Sequence, residues 1–77
     1  MSQIIRKAAE LRSQGNFDAA ISLVEQNLAT IDPDVQVVAL LQAFYAAVEG
    51  KYTSKAKELA QKLVALEPQL PSIQQYL

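Results

Sequence analysis

The side chains that could do chemistry in this chain are few. Asp32 and Asp34 form the one close acidic pair, and they bracket Pro33, a pattern that suits the start of a helix better than a reacting centre. With no Cys and no His, thiolate chemistry, disulfides, imidazole bases and the usual zinc ligand sets are excluded. A general base would have to be a carboxylate, Lys or Tyr, and nothing is spaced to make one. A metal would need an all-oxygen site, yet apart from that pair the acids are scattered singly. The only glycines, Gly15 and Gly50, lie 35 residues apart, so no glycine-rich phosphate loop exists. The sequence therefore predicts no enzyme, no metal or cofactor, and no small-molecule substrate.

The elements that carry these residues are marked by breakers. Gly15 and Gly50 are 35 apart, and so are Pro33 and Pro68. At the same offset Ala8 pairs with Ala43, Gln26 with Gln61 and Leu28 with Leu63, while Phe17 matches Tyr52 and Asp32 matches Glu67. A fixed period in this range is the signature of a repeat array. Each unit reads as two helices. The first runs from about Ser2 to Gln14, with Ile4, Ile5, Ala8 and Leu11 at the spacing of one face. Gly15 ends it in the left-handed conformation, Asn16 caps the next helix, and Asp18 sits in its first turn. That second helix runs to about Ile31 with Phe17, Ala20, Ile21, Val24, Leu28 and Ile31 inward. The third covers about Asp34 to Glu49, and Gly50 ends it. Thr53 or Ser54 caps the fourth, whose inward set is Ala56, Leu59, Leu63, Val64 and Leu66. A short segment from Leu70-Pro71-Ser72 closes the chain. The expectation is an all-α protein of antiparallel helix-turn-helix repeats, four main helices in one domain over 1–77: one repeat at about 1–34, a second at about 35–69, and a cap at 70–77.

Composition limits the partners. The 77 residues are 51% hydrophobic, enough for a folded core, and a chain this short gains from a copy or partner that covers apolar surface. Net charge is −1, with +2 in residues 1–12, −5 in 13–50 and +2 in 51–77. Neither nucleic acid nor an anionic membrane is implied without a basic excess. The start MSQIIRKAAEL has no apolar core of a secretory signal, and Val37 to Val48, interrupted by Gln42, is too short to span a bilayer. A soluble cytoplasmic protein is expected.

The third helix stands out. Val35, Val37, Val38, Leu40, Leu41, Phe44, Tyr45 and Val48 are joined by alanines at 39, 43, 46 and 47, leaving Gln36, Gln42 and Glu49 as its clear polar positions. An amphipathic helix needs one apolar stripe. One that is apolar nearly all round is either central in a core or carries a second apolar face for something else.

The stretch Gln14-Gly15-Asn16-Phe17-Asp18-Ala19-Ala20-Ile21 resembles the tetratricopeptide signature of a Gly, an aromatic two residues on, and a small residue where two helices cross. Asp32-Pro33 and Glu67-Pro68 resemble its repeat ends, and Gly50-Lys51-Tyr52 and Leu63 to Pro68 continue the likeness through the second unit. The repeat here is 35 residues long, against about 34 in that family, and Ala56 sits one place later in its unit than Ala20 does. The resemblance implies an α-solenoid fragment and a protein–protein interaction module, an adaptor or chaperone-like subunit that binds a helical or apolar segment. It also implies that the first helix of each unit lines a concave groove. By that alignment Val37, Leu40, Phe44, Ala47 and Val48 face the groove beside Ile5, Ala9 and Arg12. Lys and Asn residues that clamp an acidic peptide terminus in some family members are replaced here by Ile5 and Ala9, so the expected ligand is apolar. The partner is then another protein, or a copy of itself in a homodimer through helix three with Phe44 as anchor. Pentatricopeptide repeats, which share the 35-residue period, imply RNA binding instead, and their RNA-binding members are expected to be basic.

Overall fold

The computed structural model describes residues 3–77 and is all-helical, with no strand among the described residues. Helix α1 is Gln3–Ser13, α2 is Phe17–Asn27, α3 is Pro33–Glu49 and α4 is Thr53–Leu66. A 3-10 turn, Leu28–Thr30, follows α2, and a 3-10 helix, Pro71–Tyr76, ends the chain. These bounds agree with the breaker pattern to within a residue or two at most ends. The predicted start of helix one at Ser2 lies outside the described residues. Among those residues no helix is long and apolar enough to cross a membrane.

The tight turns after α1 and α3 are built alike. In the first, the N–H of Asn16 donates to the Leu11 carbonyl (2.9 Å) and the N–H of Gly15 to that of Arg12 (3.0 Å). In the second, Tyr52 donates to Ala47 (2.8 Å) and Lys51 to Val48 (3.1 Å). These six-to-one and five-to-two bonds satisfy carbonyls that a helix end leaves without partners. Gly15 holds the left-handed position at φ +80°, as its type predicts. In the second turn that position is taken by Lys51 at φ +64°, not by Gly50, which is right-handed at φ −84°. Turn and helix boundaries therefore recur at 36 residues: Ser13 and Glu49 end helices, Asn16 and Tyr52 precede the next ones, and Phe17 and Thr53 begin them. The shared residue types recur at 35.

Gly50 is required for a different reason. A Cβ placed there would lie 2.9 Å from Tyr52 Cε2, 3.0 Å from Phe17 Cδ2 and 3.1 Å from Phe17 Cβ, whereas a Cβ on Gly15 would meet nothing within 4 Å. The two aromatics of the repeat signature thus close over the second turn. Gly15→Ala is expected to cost about 1 kcal/mol through its backbone alone. Gly50→Ala is expected to cost about 1–3 kcal/mol through crowding. Adding Tyr52→Ala, which removes one crowding ring, should restore part of the Gly50→Ala loss and none of the Gly15→Ala loss in denaturant midpoints. Equal behaviour of the two pairs would refute the distinction.

Two predicted caps need correction. Asn16 occupies the cap position of α2 but makes no cap bond, and its amide reaches Gln14 Oε1 instead (3.4 Å). Before α4 the cap residue is Tyr52, and Thr53 is already helical, because the five-to-two turn ends one residue later than Gly50 suggested.

Helix α3 is the centre of the molecule and packs against α1, α2 and α4. That placement explains why it is apolar all round. Ala39, Ala43, Ala46 and Ala47 are fully buried and allow close approach on several sides, with Leu40 and Phe44 filling the space between. Ala8, Ala20, Ile21, Val24 and Ile31 close the core from one side. Ala56, Leu59, Ala60, Leu63 and Ile73 close it from the other. Leu66, predicted inward, is 45% exposed because the last turn of α4 extends beyond the core.

The linkers are tied by glutamines that read as surface residues in the sequence. Gln36 donates its amide to the carbonyls of Leu28 and Ile31, both at 3.1 Å. Gln74 does the same toward Pro68 (3.2 Å) and Leu70 (3.1 Å). Each lies three residues after the Pro that opens its helix, in Pro33-Asp34-Val35-Gln36 and Pro71-Ser72-Ile73-Gln74.

Candidate functional site

The residues expected on the groove divide in two. Ile5, Ala9 and Arg12 lie half-buried along one face of α1. Leu40, Phe44 and Ala47 are instead buried to within 1% and belong to the core. Tyr76 meets the Phe44 ring edge-on at 5.2 Å, and the fully buried Ile73 lies in the same 3-10 helix. With this segment in place the burial of Leu40, Phe44 and Ala47 is complete to within 1%. Val37 and Val48 are half-buried against the core.

The face that α3 shares with the groove is a different one. Val35, Val38, Gln42 and Tyr45 follow at the i, i+3, i+7, i+10 spacing of one helical stripe. Val38 is 43% exposed, the most open apolar residue of this helix. Between the starts of α1 and α3 lies a groove of about 740 Å³, lined by Ile4, Ile5, Ile31, Val35 and Val38 with Arg6, Thr30 and Asp32 at its rims. Further along, the two helices are closed together. The Arg12 guanidinium stands 5.3 Å from the centre of the Tyr45 ring, and its Nε is 3.5 Å from Glu49 Oε1. The groove is thus open and apolar at one end and sealed at the other by a cation on an aromatic face.

The opposite side, between α2 and α4, carries a shallow depression of about 660 Å³ lined mainly by polar residues, among them Asp18, Glu25, Tyr52 and Lys55. Its charges satisfy one another. Lys55 Nζ lies 3.1 Å from Glu25 and 3.3 Å from Glu58, and Lys62 reaches the same two carboxylates at 4.0 and 3.9 Å. The Glu25 hydrogen bond is the main cause that raises the Lys55 ammonium above its ordinary range, with Glu58 adding to it. Likewise the neighbouring Asp18 carboxylate raises the Tyr52 phenol above its ordinary value. No group of three His, Cys, Asp or Glu residues capable of holding a metal is found among the described residues.

Of the α1 residues expected on the groove only Ile5 lines it, and Val35 and Val38, its α3 side, were not among the expected residues. The 36-residue spacing of Ala20 and Ala56, both fully buried at the start of their helices, carries Ile5, Ala9 and Arg12 onto Leu41, Tyr45 and Val48 and gives no sign of Val35 or Val38. Architecture and site together define an all-helical protein of two tight helix hairpins around one central helix, with an apolar surface groove. Comparison with family models, with curated proteins and with solved structures gave no match.

Proposed function

We propose that this protein is a protein–protein interaction module of tetratricopeptide-like repeats, an adaptor or chaperone-like subunit that docks a helical or apolar segment of a partner on the α1–α3 face. The observation that carries the reading is the open groove with Val38 at its exposed edge. Apolar side chains kept at a surface depression, while the same helix buries six other residues, are a feature that a partner's apolar surface would complete. The paired turns and the alanines Ala20 and Ala56 support the repeat assignment. In this reading Ile5 and Val38 make the contact, Ala9 leaves room for it, and Arg12 with Tyr45 fixes the angle between the two helices. No catalytic role belongs to the reading.

The test is Val38→Glu. Val38 is already open to water, so helical content and melting temperature should stay close to the parent's. Proteins cross-linked to the parent through a photoreactive residue at position 35 should be lost by at least tenfold in the variant. Unchanged cross-linking would exclude the groove.

A further inference from the structure

We propose that the occupant of the groove is an amphipathic helix of another polypeptide whose apolar stripe is edged by acidic residues on one side and basic residues on the other. The inference rests on the docking reading and specifies its ligand. The lining supplies the apolar requirement through Ile5, Ile31 and Val35, with Val38 at its exposed edge. The two walls supply opposite charges. Arg6 stands on the α1 wall and Asp32 at the start of α3, both are exposed, and neither has an ion-pair partner among the described residues. On the far side of the molecule, by contrast, Glu25, Lys55, Glu58 and Lys62 neutralise one another.

A ligand lying between Arg6 and Asp32 meets a cation on one flank and an anion on the other, so a helix with one sign of charge on both edges always faces one repulsion. A helix suits the site better than a strand. The groove runs between two helices, into which the ridge of a third can pack, and there is no sheet edge among the described residues for a strand to join. A second copy is the other occupant that the test below separates from a partner helix.

Three helix-stabilised synthetic peptides with the same apolar stripe test the proposal: one acidic on both edges, one basic on both, and one mixed. By fluorescence anisotropy at low ionic strength, the mixed peptide should bind the parent about fivefold more tightly than either of the others. Salt near 1 M should erase the difference. Arg6→Glu should make the basic-edged peptide the tightest binder, and Asp32→Asn should bring the acidic-edged peptide level with the mixed one. If the three peptides bind alike, or the two variants leave their order unchanged, the edge-charge inference is overturned while the docking reading stands. Binding of none of them, or binding that survives Val38→Glu, overturns the docking reading as well. A dimer in sedimentation that Val38→Glu dissociates would give the groove to a second copy and overturn the inference.

Discussion

Phe44→Asp is expected to unfold the protein rather than to release it from a partner. The Phe44 ring is 1% exposed, sits on the central helix and meets Tyr45 and Tyr76 at centroid distances of 5.8 and 5.2 Å. Removing a buried Phe side chain costs about 3–5 kcal/mol. Placing a carboxylate there without a partner costs several more unless the group takes up a proton. A chain of this length has roughly 4–12 kcal/mol of stability in total, by the usual per-residue range. The substitution therefore consumes most or all of it. Far-ultraviolet circular dichroism should show loss of helix at 25 °C, and Phe44→Leu, which keeps an apolar filling, should retain a cooperative melt. A Phe44→Asp chain with parental helicity and a cooperative transition would place Phe44 at a surface and restore its role as an anchor for a partner.

The difference between an anchor and a core residue here comes down to one residue of register. The fold class and the four helices follow from the apolar spacing and the breakers Gly15, Pro33, Gly50 and Pro68, because a helix must end where its backbone is interrupted. The faces of those helices need a finer measure. Residue types repeat at 35, which pairs Ile5, Ala9 and Arg12 with Leu40, Phe44 and Ala47. The backbone boundaries repeat at 36, which pairs them with Leu41, Tyr45 and Val48. One residue turns an α-helix by about 100°, enough to carry a stripe from the groove into the core. The left-handed Lys51 accounts for the extra position, which the sequence marks only through the 36-residue spacing of Ala20 and Ala56. The roles of Gln36 and Gln74 were hidden for a related reason. A glutamine that serves a linker carbonyl looks the same in sequence as one that faces water, and Gln36 differs only in where its amide ends up.

The C-terminal segment decides how much of α3 is covered, and Ile73 is its keystone. Ile73 is completely buried although it sits in a 3-10 helix of six residues, Pro71–Tyr76, which has weak internal hydrogen bonding of its own. What holds the segment is therefore packing, against α4 and against the Phe44 ring through Tyr76, together with the two bonds from Gln74. Ile73→Ala should cost about 2–5 kcal/mol, the range for truncating a fully buried aliphatic side chain. The upper half of that range approaches the stability of the whole chain. Two outcomes separate a cover that is part of the cooperative unit from one that is merely laid on it. If the segment belongs to the unit, Ile73→Ala lowers the midpoint of a single transition, and hydrogen exchange accelerates in α3 and α4 together. If it detaches on its own, exchange accelerates only in residues 71–77 and the main transition keeps its midpoint. The complete burial of Ile73 beside Leu59 and Leu63 favours the first outcome. An unchanged main transition would show that the α3 face beneath Tyr76 can open without unfolding.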